Sequence, residues 1–217
     1  MRNLIEKVEP RDIETRSFEI ITEELGDRTF VNNTELIVKR CIHTSADFDY
    51  ADNLCFSEDV VSKLTEAIKN GASIVTDTNM AKAGINKVSL GKYGGQVHCF
   101  MSDEDVAAAA KLSGATRASE SMKKAAAMDE NFIFAIGNAP TALVTLYDLM
   151  QEGKINPVGI IGVPVGFVNV VQSKELIMST DVPYIVAKGR KGGSNIAACI
   201  VNALLYMINN ERHYWSK

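Results

Sequence analysis

A single α/β domain, with helices on both faces of a doubly wound, largely parallel sheet, is the fold class predicted by three features of the 217-residue sequence. Short continuous apolar runs, the mark of strands buried on both faces, alternate with stretches of helical periodicity. Five of those runs lead into polar or glycine-rich segments, as strand carboxyl ends do in such sheets. No internal repeat, low-complexity segment or linker divides the chain, so 1–217 reads as one domain long enough to close one core.

Residues 8–25 predict a helix, with Pro10 near the first turn, where a missing N–H costs nothing. Ile13, Ile20, Ile21 and Leu25 recur at helical spacing and mark its packed face. Ser17 falls on that face, its hydroxyl either bonded back to the helix or turned toward a ligand. Leu36-Ile37-Val38 leads us to expect a buried strand over 36–42, which would put Arg40, His43, Asp47 and Asp49 around its carboxyl end. Residues 57–69 read as a helix with Ser57 as N-cap and Gly71 just past the end. A strand over 72–76 runs into Asp77-Thr78-Asn79-Met80-Ala81-Lys82-Ala83-Gly84.

A short strand over 97–101 precedes an Ala-rich helix with the acidic first turn Asp103-Glu104-Asp105. Thr116-Arg117-Ala118-Ser119 breaks that run before another helix through Met128. The strand 132–136 leaves through Gly137-Asn138-Ala139 into Pro140, which begins a helix over 141–150. The strand 158–161 is followed by Gly162-Val163-Pro164-Val165-Gly166. The last strand, 184–187, is followed by Lys188-Gly189-Arg190-Lys191-Gly192-Gly193-Ser194. The final helix, 195–208, has Ile196, Ile200, Leu204, Met207 and Ile208 on its packed face.

The formal net charge of -4 argues against non-specific binding to nucleic acid or to an anionic membrane, since both need a basic field. No apolar run approaches the ~18 residues of a spanning helix, and the charged start carries no signal-like segment. A soluble, cytoplasmic protein is expected. Its cysteines, Cys41, Cys55, Cys99 and Cys199, are scattered without a Cys-x-x-Cys pair, which fits neither a zinc site nor a disulfide framework.

His43 draws attention because imidazole alone titrates near neutrality unaided, at about 6.5. It is either a packed residue bonded to a carbonyl or an acid/base group, and Arg40, Asp47 and Asp49 stand close in sequence. The run Gly189–Ser194 lacks the frame of a P-loop, and no Rossmann glycine pattern follows the first strand. It is still either an anion cradle or an ordinary turn with solvated cations. His43, His98 and His213 fall on separate elements, so no metal site is expected, and no Gly-x-Ser-x-Gly elbow supports a serine hydrolase. One acid/base histidine among cations and backbone donors points to an anionic substrate and proton chemistry.

Several motifs follow one another in order: Ile13-Glu14-x-x-Ser17-Phe18, Arg40-x-Ile42-His43, Asp77-x-x-Met80-x-x-Ala83-Gly84-Ile85 and Thr116-Arg117-Ala118-Ser119. Ile136-Gly137-Asn138-Ala139-Pro140-Thr141, Gly162-x-Pro164-Val165-Gly166-Phe167-Val168 and Gly189-Arg190-Lys191-Gly192-Gly193-Ser194 complete the set. By these motifs together the chain, from Pro10 to Leu205, resembles the precorrin-8X methylmutases, called cobalt-precorrin-8 methylmutases in the anaerobic branch of cobalamin biosynthesis. The resemblance implies a flavodoxin-like three-layer fold and a homodimer. It also implies an isomerase that moves a methyl group from ring carbon 11 to carbon 12 of a contracted tetrapyrrole, without a cofactor or resident metal. By the same resemblance His43 is the catalytic acid/base, and we expect Asp47 or Asp49, close in sequence, to keep it partly protonated. Ser17, Arg40, Arg117, Asp77, Asn79, Met80, Gly84, Gly137, Asn138, Gly166, Arg190, Lys191, Gly192 and Ser194 would contact substrate. Gln172 departs from the family, which commonly carries Glu there. Two other classes compete: a carrier that hands a corrinoid to the next enzyme, and an α/β enzyme for a phosphorylated metabolite.

Overall fold

A computed structural model describes residues 6–128 and 130–209. The elements run α1 (Ile13–Leu25), α2 (Glu35–Ser45), α3 (Tyr50–Asn53), β1 (Leu54–Phe56), α4 (Val60–Lys69), β2 (Ser73–Thr76), α5 (Asn79–Gly84) and α6 (Lys87–Gly91). They continue as β3 (Val97–His98), α7 (Glu104–Ser113), α8 (Arg117–Ala126), β4 (Phe132–Ile136), α9 (Pro140–Gln151), β5 (Gly159–Gly162), α10 (Val170–Met178), β6 (Tyr184–Ala187) and α11 (Ser194–Asn209). The sheet order is β1-β6-β5-β4-β2-β3, parallel throughout except for the antiparallel edge pair β1 and β6.

The strands divide two apolar layers by their period of two. Ile74, Ile133, Ala135, Ile161 and Ile185 face α2, α4, α5, α6 and α11. Val75, Phe132, Phe134, Ile136, Ile160 and Val186 face α8 and α9 on the other side. Both faces of β2, β4 and β5 are covered, which is why those strands read as unbroken apolar runs. No described helix is long and apolar enough to cross a membrane.

The largest departure from expectation is α2. Residues 36–42 form a helix, so His43 sits in a helix's last turn rather than beyond a strand. A three-residue apolar run cannot separate the two states by periodicity. What decides for helix is the spacing of Ile37, Val38, Cys41 and Ile42, all in the core, together with the Glu35–Lys39 ion pair one turn apart.

On α1 the packed face is Phe18, Ile21 and Leu25, whereas Ile13 and Ile20 are exposed. Ser57 is not an N-cap: its Oγ accepts the Tyr184 N–H at 2.9 Å, extending the β1–β6 pairing, and α4 starts three residues later. Five elements, α3, β1, α5, α6 and α10, escaped the sequence pattern. The three-residue β1 is too short to show alternation. In α10 the buried positions Val170, Ser173, Lys174 and Ile177 keep helical spacing, but two of the four are polar.

Candidate active site

The sheet's strand connections diverge between β2, which leads to β3 on one side, and β4, which leads to β5 on the other. Open α/β sheets bind ligands in the crevice outside such a switch point. Here that gap is bridged by Asp77, fully buried at the end of β2. Its Oδ1 accepts the Gly137 N–H at 2.9 Å, and its Oδ2 accepts those of Asn138 and Ala139 at 2.8 and 2.6 Å. Burial pushes the Asp77 carboxyl above its ordinary value, and the three amides draw it part of the way back. Asp77 is thus a brace for the start of α9, and its carboxylate is spent on backbone rather than presented to a substrate.

The glycine loops pack on this brace so closely that side chains are excluded. A Cβ on Gly137 would stand 2.7 Å from the Gly193 carbonyl oxygen, and one on Gly192 would stand 2.0 Å from that of Val163. The Ser194 hydroxyl meets that of Thr78 at 2.7 Å, and Asn79 donates to Ser102 Oγ at 2.9 Å. Lys174, which sequence reasoning passed over, is buried beneath the β6–α11 loop, where its ammonium donates to the Gly189 and Lys191 carbonyls, each at 2.8 Å. Burial lowers its pKa to about 8. Lys191 reaches back to Asp47 and Asp49, 2.6 Å from each, and these carboxylates push it up to about 12.

That tie corrects the expected partner of His43. Asp47 and Asp49 are engaged by Lys191, and the carboxylate that acts on His43 is Glu14 of α1. Glu14 holds the Arg40 guanidinium at 2.7 Å, and Arg40 lies over the rings of Phe18 and Tyr206, 5.6 and 4.6 Å from their centroids. The His43 ring stands 5.4 Å from that of Phe18. Partial burial and the Arg40 charge lower the His43 pKa, while Glu14 opposes them. His43 is nevertheless exposed at the end of α2.

A cleft of about 290 Å³ between α2, α5 and α11 brings Arg40, Met80 and Gly84 together with Thr44, Cys199 and Tyr206. Lys191 ties the β6–α11 loop to the segment just after α2, the Gly166 N–H donates to the Arg190 carbonyl at 3.1 Å, and Asn195, next to Ser194, lines the cleft. Met80 on the cleft wall, and Phe167 and Val168 in the β5–α10 loop, are 71%, 80% and 78% exposed. Arg190 stacks over Phe167 at 5.4 Å. Ser17 bonds back to the Ile13 carbonyl at 2.8 Å, so its hydroxyl hydrogen is not free for a ligand. Arg117 stands apart, exposed on α8, in the layer on the opposite face of the sheet from α2. Gln172 is exposed on α10. His98 is packed between Phe100 and Phe132 at the far edge strand, and His213 lies outside the described residues.

Comparison with known proteins identifies this arrangement. Residues 12–207 match the family model for precorrin-8X methylmutase. The chain belongs to the precorrin-8X methylmutase family. It is 46% identical over 204 residues to the cobalt-precorrin-8 methylmutase of Salmonella typhimurium, covering 91% of this chain and 95% of that one. It is 44% identical over 197 residues to the enzyme of the same name from Priestia megaterium, covering 91% and 88%. Among solved structures, the precorrin-8X methylmutase of Thermus thermophilus superposes with a TM-score of 0.83 at 34% identity, covering 92% and 98%. The chain is therefore a methylmutase, an isomerase of cobalamin biosynthesis with an α/β fold.

Within that family frame, Glu14, Phe18, Tyr206 and Lys174 are the residues whose roles sequence reasoning missed. Glu14, one turn before Phe18 on α1, was visible as helical spacing once the helix was known. Tyr206 meets Arg40 only through the packing of α11 on α2, and nothing local announces it.

Proposed function

We propose that the chain moves the methyl group of cobalt-precorrin-8 from ring carbon 11 to carbon 12, with His43 donating a proton to the macrocycle. The observation that carries this reading is His43 itself. It is exposed beside Phe18 and the Arg40 cleft, and no carboxylate bonds it among the described residues. The substrate is an apolar ring rimmed with acetate and propionate groups. Exposed Met80, Phe167 and Val168 suit its face, and Arg40, Arg190 and Lys191 suit its rim. The relatives at 44% and 46% identity are named for the cobalt-bearing substrate, which favours that form.

Protonation withdraws electron density from the ring position holding the methyl, which then migrates within the same molecule. The proton is given up afterwards, so substrate and product are isomers and no redox partner or methyl donor is needed. His43 supplies the proton; the rim cations orient the ring.

The pH profile tests the direction of proton transfer. In the free enzyme burial and Arg40 hold His43 below 6.5. An acid is active when protonated, so kcat/KM should fall as pH rises through that lowered value. Substrate carboxylates arriving at Arg40 offset its charge, so the descending limb of kcat should lie at higher pH than that of kcat/KM. A kcat that rises with pH across this range would make His43 a base and end the proposal.

Arg40→Ala should raise KM about 10–100-fold, the loss of one charge-assisted contact. Arg40→Lys should recover only part of this, because an ammonium cannot reproduce the planar stack on Phe18 and Tyr206. Parent-like KM for Arg40→Ala would assign the guanidinium to Glu14 alone. Arg117, exposed and without an ion-pair partner among the described residues, belongs to this reading as a second anion contact from the other helix layer.

The reading extends to a homodimer, to hand-over of the product to the next enzyme of the route, and to a cytoplasmic location. The last is supported by four free cysteines with no disulfide among the described residues. The apolar terminal helix does not bear on the dimer, because α11 spends its apolar residues in the core.

A further inference from the structure

We propose that Lys174 is a positioning residue that turns the β6–α11 loop into an anion-binding nest for a carboxylate of the substrate. The inference rests on the methylmutase reading above and adds a residue that does not touch the substrate. Three successive carbonyls of this loop are engaged from the β5–α10 side. Those of Gly189 and Lys191 accept from the Lys174 ammonium at 2.8 Å each, and that of Arg190 accepts from the Gly166 N–H at 3.1 Å. In a trans peptide the C=O and the following N–H point in opposite directions. Fixing these carbonyls therefore aims the N–H groups of Arg190, Lys191 and Gly192 away from α10. None of the three has a protein acceptor among the described residues.

Consecutive outward amides form a concavity that attracts anions. The neighbouring cation is Arg190, exposed above Phe167; the Lys191 ammonium is already paired with Asp47 and Asp49, so the nest's attraction rests on the amides and Arg190. Burying an ammonium is costly, and a lysine kept 1% exposed solely for two carbonyls has a specific demand to meet. Those carbonyls would otherwise be free to rotate, and the amides with them. Gly192 and Gly193, with φ of +156° and +140°, allow the turn but do not fix its direction.

The test compares the parent protein with Lys174→Met, which keeps the aliphatic stem and removes the donors, and with Lys174→Gln, which keeps a donor. Lys154→Met, at an exposed lysine of the α9–β5 connection, controls for loss of one positive charge. Binding of hydrogenobyrinate is followed by absorbance and by amide proton and nitrogen shifts. In the parent and in Lys154→Met, the Arg190, Lys191 and Gly192 amides should move on addition of the macrocycle. In Lys174→Met they should not, KM should rise about tenfold, and kcat should stay within about twofold. Lys174→Gln should lie between, which keeps the test open if the methionine variant fails to fold. Parent-like KM and amide shifts in either folded variant would overturn the role of Lys174. A parent that turns over substrate with these amides unmoved overturns the nest alone, whereas a parent with no turnover overturns the functional reading beneath it.

Discussion

His43→Ala is expected to fold and to bind the tetrapyrrole with near-parent affinity, while its kcat falls by about 10²–10⁴-fold, the usual worth of a positioned general acid. The fold should survive because His43 is exposed in the last turn of α2 and contributes to no core cluster. Its one described ring contact is with Phe18, whose place in the core also rests on the α1–α2 packing. Binding should survive because the proposed rim contacts are those of Arg40 and the glycine loops. The loss should therefore appear in single-turnover rates and leave the absorbance titration of the bound pigment unchanged. His43→Gln, which can donate a hydrogen bond but not a proton, should be as slow as the alanine variant. Parent-like turnover in either would remove the acid from the mechanism. A collapse of binding with intact single-turnover rate would make His43 a contact only.

Asp77→Ala should cost about 3–5 kcal/mol of stability, because three backbone amides lose their shared acceptor at once. The Gly137 amide is buried, while that of exposed Asn138 can recruit water, which holds the total below three full penalties. For a chain of this length the midpoint of thermal unfolding should fall by roughly 10 °C. The carboxylate gains little for itself, since burial raises its pKa despite the amides; the cost of truncation lies in what it leaves behind. Asp77→Asn should recover less than half of the loss, since its NH₂ must face an N–H. Circular dichroism melts decide the matter. A change below about 1 kcal/mol would mean that water replaces the brace.

The two variants separate functions that the sequence placed in one group. Asp77 and His43 both read as polar residues following strands, and both stood in motifs of the same family. Only one follows a strand. Asp77 follows β2, where its carboxylate closes the switch point; His43 ends a helix, where its ring stays exposed. The error at residues 36–42 arose because a short apolar run carries the same local signal in either state. The helix is settled by α11, against which α2 packs along much of its length.

By itself the amino-acid order determined the α/β alternation, the parallel core strands and the glycine-rich loops at their carboxyl ends. Each follows from local properties: apolar runs for strands covered on both faces, glycine where backbones approach closely, and the family's motifs in series. Tertiary structure alone decided the partnerships. Arg40 finds Glu14 and Tyr206, Lys191 finds Asp47 and Asp49, and Lys174 finds two carbonyls of a loop fifteen and more residues away. Unlike the Glu35–Lys39 pair one turn apart, these partners are set by which elements pack together, and no local spacing along the chain encodes that.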